Sequence, residues 1–265
     1  MRTLPIVITL IACLASSLAN GAAYIRGASA PWGENTNETA MDTVFGAGGW
    51  DDLRMADGAT PFTSGAHDFI FLEGGDSTAN ELSTYLTTYR TEIEAFVSSG
   101  GALLLNAAPN QGGNINYGFG GVTLTYPAFT SDVVAASPGH PVFNGPFTPV
   151  VTSYSGSSFG HAIVGNGLSP IIIGAPGDTN EGETVLGERN FGSGLVLLGG
   201  MTTDNFHDPQ PEAANLRANI IAYTAAGGDL NLEPEVVPAT PVWSIAMLAI
   251  LMLLAAGLRR RAGHG

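Results

Sequence analysis

Apolar residues along this chain fall into two kinds of run, and the difference sorts its elements. Unbroken apolar runs bounded by glycine read as strands buried on both faces. Phe69–Leu72, ahead of Gly74-Gly75-Asp76-Ser77, is the first; Ala102–Leu105, behind Ser99-Gly100-Gly101, is the second; Leu195–Leu198 is the third. Apolar spacings of three and four mark helices instead. Leu82, Leu86, Tyr89, Ile93, Phe96 and Val97 predict one long helix, stopped by Ser99-Gly100-Gly101. Met41, Val44 and Phe45 lie on one side of a helix expected over 34–45, with Asn35 or Thr36 as its cap. Leu216, Ile220 and Tyr223 form the inner face of a last helix. Asp208 is its expected cap, Pro209 or Pro211 stands in its first turn, and Gly227-Gly228 end it. Ala22–Ile25 reads as a short strand leading into Arg26-Gly27, and Trp50–Met55 as a second.

From Asn110 the pattern changes. Gly112, Gly113, Gly118, Gly120 and Gly121 predict a loop. Short strands are then expected at 122–126, 150–154, 161–164, 171–173 and 184–186, separated by turns. No internal repeat is visible. Strand–helix–strand order with glycine turns points to a parallel sheet covered by helices. The expected fold is therefore a three-layer α/β domain carrying an antiparallel, β-rich insertion near residues 115–190.

Both ends read as addresses rather than as parts of the fold. A basic start at Met1-Arg2, a mostly apolar Leu4–Leu18 and the small-x-small pattern Ser17-Leu18-Ala19 make residues 1–19 a secretion signal cleaved near Ala19. Cys13, the only cysteine, lies inside it; Leu10-Ile11-Ala12-Cys13 offers a lipoprotein cleavage box as an alternative. On either route the mature domain has no internal disulfide, thiol nucleophile or thiolate ligand. The domain is expected over 20–227 and a Pro-containing linker over 228–241. A span over 242–258 follows, whose one polar residue is Ser244, and then a basic tail over 259–265. Val242–Leu258 is at the short edge of a transmembrane helix, and Arg259–Arg261 would keep the tail cytoplasmic.

Val237-Pro238-Ala239-Thr240-Pro241-Val242-Trp243, an apolar helix and an arginine cluster together resemble the C-terminal sorting signals of exosortase systems in Gram-negative bacteria. The Val-Pro start and Trp243 resemble the IPTL-CTERM type. The related PEP-CTERM type carries Pro-Glu-Pro where this chain has Pro238-Ala239-Thr240. The resemblance implies an exosortase-type sorting enzyme as partner and transient anchoring in the inner membrane through the helix. Removal of that helix and display at the cell surface would follow.

Charge narrows the choice of partner. Five arginines against 23 acidic residues give residues 23–235 a net charge of −18, and the chain has no lysine. Such a field repels phosphate backbones, which excludes nucleic acid as a ligand class.

Three segments carry a second resemblance. Phe69–Asp76 is similar to a strand and glycine turn, Ile93–Asn106 to a helix–Gly-Gly–strand approach, and Glu188–Gly200, with Gly192-Ser193-Gly194, to a hairpin and returning strand. In this order they resemble the class I glutamine-amidotransferase-like fold, which implies a flavodoxin-like architecture. In catalytic members a Cys occupies the sharp turn after the strand that here is Ala102–Leu105. This chain has Asn106-Ala107-Ala108 there, so thiol-based amidotransfer is excluded. The family's His and Glu follow the last strand; His207 and Glu212 stand in a similar place, but a His without its nucleophile runs no triad.

In such folds the C-terminal ends of the parallel strands share one rim. Asp76, Asn106, Asn110, Asp204, Asn205 and His207 are its candidate binding residues, with Glu73, Thr202 and Thr203 beside them. Their oxygens suit a sugar or a cation; the same residue types also cap ordinary turns. Asp178-Thr179-Asn180-Glu181-Gly182-Glu183 echoes a calcium loop, with Asp178, Asn180 and Glu183 as candidate ligands. Its Gly is one position early and the expected Glu is displaced to 188, so a hairpin turn fits better. No cofactor is expected, calcium being the one such a loop could take. Trp32, Trp50, Tyr117 and Phe119 offer rings for stacking on a sugar or for local packing. His140 and His161 stand alone and read as structural. Ser77, His207 and Asp204 make a triad only on paper, with no Gly-x-Ser-x-Gly elbow. The leading expectation is an exported, non-enzymatic surface or matrix protein, with cell-envelope or extracellular polysaccharide as a partner. A hydrolase acting on extracellular carbohydrate or peptide is the first alternative, and a calcium-dependent adhesion module the second.

Overall fold

Three apolar runs dictate the centre of the molecule. In the computed structural model, which describes residues 21–230, they become β3 (Phe69–Glu73), β4 (Ala102–Asn106) and β12 (Gly194–Gly199), lying side by side and parallel. β1 (Ala22–Arg26) pairs parallel with β3 on the far side, and β2 (Asp51–Arg54) pairs parallel with β1. In chain order these five strands run 2-1-3-4-5 across the sheet, which is the flavodoxin-like order.

Every residue of β3, β4 and β12 is buried. Phe69, Phe71, Leu104 and Leu197 face a core shared with α1 (Thr36–Phe45) and α5 (Glu212–Ala225). Ile70, Leu72, Leu103, Leu105, Val196 and Leu198 face the opposite core. That side is covered by a short α2 (Thr60–Thr63), α3 (Ala79–Thr88) and α4 (Arg90–Ser98). At roughly 1.5–3 kcal/mol per fully buried large apolar side chain, these strands hold the sheet far more firmly than edge strand β2, whose Asp51 and Asp52 face solvent.

The second half of the chain lengthens the same sheet. β11 (Thr184–Phe191) runs antiparallel beside β12. β10 (Ser169–Gly174), β7 (Thr130–Ala135), β8 (Ser153–Gly160) and a two-residue β13 (His207–Asp208) follow in that order. β5 (Ile115–Gly118), β6 (Val122–Thr125) and β9 (Ile163–Val164) form a separate three-stranded antiparallel sheet.

The structure corrects several expectations. The long helix is two, broken at Tyr89 (φ −115°, ψ 22°). Thr84, Thr87 and Thr88 each donate their hydroxyl to the carbonyl four residues back, which bends helices. Asp208 does not cap the last helix: it pairs with Ser155 as a strand, and the helix starts after Pro211. The glycine-rich loop contains β5, whose Ile115 and Tyr117 are buried. The strand expected at 150–154 runs from Ser153 to Gly160, in a Ser/Gly-rich segment with little apolar signal. β7 was hidden because Thr130-Ser131-Asp132 reads as a turn, although Thr130 and Val133 are buried. Among the described residues no helix is long and apolar enough to cross a membrane. The signal at 1–19 and the helix expected over 242–258 lie outside the described residues.

Candidate functional site

Register sets the site. Glu73, Asn106 and Gly199 stand side by side at the ends of their strands. Asn106 is buried and every polar atom of its side chain is engaged. Nδ2 donates to Glu73 Oε2 (2.9 Å) and to the Met201 carbonyl (2.8 Å), while Oδ1 accepts from Met201 N–H (3.0 Å). Glu73 also accepts from Gly75 N–H at 2.6 Å. A Cβ at Gly75 would stand 2.6 Å from Glu73 Oε1 and 3.5 Å from the Trp32 ring, so the carboxylate would have to shift. Burial pushes the Glu73 carboxyl up to about 7, against the opposing pull of Asn106, Arg217 and the Gly75 amide.

The buried layer continues toward α5. Arg217 is fully buried and donates to the Thr202 carbonyl, while its Nε has no protein acceptor. His207 is buried as well, its ring stacked on Phe159 with 3.9 Å between centroids. Its Nε2 lies 2.8 Å from Thr202 Oγ1 and 3.0 Å from the Phe159 carbonyl. A carbonyl only accepts, so Nε2 carries the proton. Burial, reinforced by Arg217, holds His207 well below the usual histidine range and hence neutral. Its partners are therefore Thr202 and Phe159, not Ser77 or Asp204, and the paper triad is not assembled. Asp204 is buried with Oδ1 unpartnered, beside a cavity of about 110 Å³ between α1 and α5. Asn205 is exposed.

Above this layer lies a second one, near the surface. Asp76 has φ 51° and Trp32 φ 54°. A left-handed tryptophan costs on the order of 1 kcal/mol or more, which the surrounding turn must offset. The two are tied together, since Trp32 N–H donates to Asp76 Oδ2 (3.2 Å). Asn110 Nδ2 donates to Asp76 Oδ1 (2.7 Å), and the Asp76 backbone bridges to Ala108 and Pro109. The Pro109 carbonyl accepts from His161 Nδ1 (2.8 Å). That bond fixes the tautomer and leaves Nε2 as an acceptor; burial lowers the His161 pKa and keeps the ring neutral. The His161 ring meets Trp32 edge-on at 5.6 Å and Phe129 at 5.0 Å. Trp32 meets Phe206 at 5.7 Å, and Phe129 meets Tyr126 at 6.1 Å. Phe129 is the one large hydrophobic side chain left exposed among the described residues, at 50%.

The six candidate rim residues thus divide. Asp76 and Asn110 meet near the surface, Asn205 is exposed, and Asn106, Asp204 and His207 are buried in or beside the layer below. Of the four aromatic candidates only Trp32 reaches the rim. Tyr117 and Phe119 are core, and Trp50 packs on Tyr24 and donates to Asp42. Sequence reasoning missed Phe129, Phe206 and Tyr126 and took His161 as isolated. No spacing links these rings to Trp32; loops bring them together.

Asp178 behaves as a turn residue. It accepts from the backbone N–H of Ser131 (2.9 Å), Asp132 (3.0 Å) and Asn180 (2.9 Å). Partial burial opposes its ionisation, but these bonds outweigh it and lower the pKa. Asn180 Nδ2 donates to the Phe129 carbonyl, which helps place the loop that carries Phe129, and Glu183 N–H donates to the Asn180 carbonyl in the same turn. Among the described residues no group of three or more His, Cys, Asp or Glu is placed to hold a metal ion. Two larger cavities lie away from the rim. One of about 500 Å³ is lined by Met55, Tyr85 and Tyr89, and one of about 270 Å³ by Glu188, Arg189 and Tyr223.

No protein-family model matches the chain, and no curated protein matches it. Solved structures are similar to it at low identity. A cold-adapted β-galactosidase from Rahnella sp. R3 is 15% identical over 77% of this chain, with a TM-score of 0.48; this chain spans 30% of that one. A putative GMP synthase component from Thermoplasma acidophilum is 8% identical over 78% of this chain and 94% of its own, with a TM-score of 0.49. A putative ThuA-like protein from Bacteroides uniformis is 12% identical over 77% and 91%, with a TM-score of 0.45. The flavodoxin-like assignment rests on the strand order itself.

Proposed function

We propose that this chain is an exported, surface- or matrix-associated binding protein. In this reading its amidotransferase-like domain works without catalysis, through the rim around Asp76. The observation that carries the reading is the turn after β4. Where catalytic relatives of that fold place a thiol, Asn106 spends its whole side chain on Glu73 and Met201, and Ala107 and Ala108 are buried. A hydrolytic reading needs a base beside a nucleophile. His207 Nε2 carries its proton toward the Phe159 carbonyl, so it cannot take one from the Thr202 hydroxyl beside it. Asp76, Asn110 and the neighbouring rings keep hydrogen-bonding capacity near the surface, as a binding site needs. The signal at 1–19 and the exosortase-like segment from Val237 supply the route to the surface, through an inner-membrane stage in a Gram-negative cell.

The test uses cells of the producing bacterium from which the gene has been deleted. Labelled full-length chain added back should bind them saturably, and the double variant Asp76→Ala, Asn110→Ala should not. Equal binding by that variant, with its folding verified, would remove the rim from the function. Protein recovered from the surface of unmodified cells should lack Met1 and the Arg259–Arg261 tail, as its intact mass will report.

A further inference from the structure

We infer that the ligand of this rim is an uncharged glycan, gripped by the aromatic row Phe206–Trp32–His161–Phe129 and by the polar groups of Trp32, Asp76, Asn110 and His161. The inference rests on the reading of the rim as a binding surface and names what it binds.

The first argument is the rings. Each neighbouring pair in the row lies 5.0 to 5.7 Å apart, close to perpendicular. Such a row would normally be closed over as core. Here one end is Phe129, half exposed, and Trp32 and Phe206 are only partly buried. Aromatic surface with polar edges suits the C–H faces of sugar rings, which are apolar in patches and ringed by hydroxyls.

The second argument is hydrogen-bonding capacity. The Trp32 indole N–H has no acceptor among the described residues. His161 Nε2 is an acceptor, because the ring proton on Nδ1 goes to Pro109, and it has no donor among the described residues. Asn110 uses one amide N–H on Asp76 and keeps its carbonyl oxygen. Two spare donors, the Trp32 indole N–H and the second amide N–H of Asn110, stand beside two spare acceptors on neutral groups. A hydroxyl, which donates and accepts at once, complements that set better than an ion does.

The third argument is charge. The chain has no lysine, and the five arginines of the described residues are all engaged elsewhere. Arg26 pairs with Glu38 and Asp52, Arg54 with Asp52, and Arg90 with Glu94 and the Asn116 carbonyl. Arg189 donates to the Phe119 carbonyl and Arg217 is buried on Thr202. Nothing is left to neutralise a carboxylated or sulfated polymer, and the acidic surface repels one. The rim itself offers a basic polypeptide a single carboxylate, that of Asp76.

The gene-deleted cells decide the matter after two treatments. Periodate, which cleaves vicinal diols, should abolish binding of the full-length chain; proteinase K should leave it intact. Raising NaCl roughly tenfold should change the affinity less than twofold, because no ion pair carries the contact. Trp32→Ala and Phe129→Ser should each weaken binding at least tenfold. Phe129→Ser keeps the test valid if the tryptophan variant folds poorly, since Phe129 is half exposed. Loss of binding after proteinase K but not periodate, or a steep fall with salt, would overturn the glycan and point to a protein or a charged polymer. In that event continued dependence on Asp76 and Asn110 would leave the binding reading in place. Wild-type affinity in Phe129→Ser would overturn the aromatic row as the contact.

Discussion

The two layers at the strand ends use the same three residue types, an acid, an asparagine and a histidine, and use them in opposite ways. In the lower layer Glu73, Asn106 and His207 are buried, and every polar atom of the Asn106 side chain has a partner. In the upper layer Asp76 and Asn110 hold one another and the buried His161 is fixed through one nitrogen, so its second nitrogen and the exposed Asn110 carbonyl carry no bond to the described residues. The lower set is spent on tying the strand ends together, and the upper set leaves hydrogen-bonding groups near the surface. Equal residue types therefore say little about role; the number of unspent hydrogen-bonding groups says more.

Exchanging the two asparagines should break the comparison most visibly. Asn106→Leu takes the partner from Glu73 Oε2 and from both backbone groups of Met201, and a lost buried partner costs about 1–3 kcal/mol per group left unsatisfied. We expect a loss of at least ~3 kcal/mol for Asn106→Leu and under ~1 kcal/mol for Asn110→Leu, read from denaturant midpoints. Equal losses would mean that the two layers are one structural unit.

The acids differ in pH response. Glu73 holds its proton to about 7 when folded, against an ordinary 4.5. Its stabilising contribution is thus complete below the ordinary value and is lost as pH rises through 4.5 to about 7. At ~1.4 kcal/mol per unit the loss is on the order of 3 kcal/mol. His207 works in the other direction: its contribution is present above the ordinary histidine value and lost as pH falls below it. Glu73→Gln should therefore gain on the native chain between about pH 5 and pH 8, as thermal unfolding at both will show. A difference between the two chains that does not change with pH would refute the buried-acid account.

Asp178 sharpens the distinction between exposed and unspent. It is only partly buried, yet it accepts three backbone bonds. Asp178→Ala should cost ~1 kcal/mol, with the same loss whether calcium or a chelator is present. A loss confined to the calcium-loaded chain would restore the metal reading. The smallest effect on stability is expected at Phe129→Ser, within ~0.5 kcal/mol as for ordinary surface changes; a larger loss would make the aromatic row part of the core.

The sequence by itself determined the parallel half of the fold, because unbroken apolar runs such as Phe69–Leu72 can be hidden only where both sheet faces are covered. It also limited the side chains on offer: Cys13 is the one cysteine, there is no lysine, and Ala107-Ala108 follow Asn106 at the end of β4. The antiparallel half was poorly legible, since β7 and β8 are built from Thr, Ser, Asp and Gly that read equally well as turns. The division of the candidate rim into buried and exposed layers was decided by tertiary structure alone. Side-chain burial at a strand end depends on which loops fold over it, and Trp32, Phe129, His161 and Phe206 come from four separate segments with no common period. Periodicity reports the face of an element, whereas the site is made where elements stop and the chain turns back across their ends.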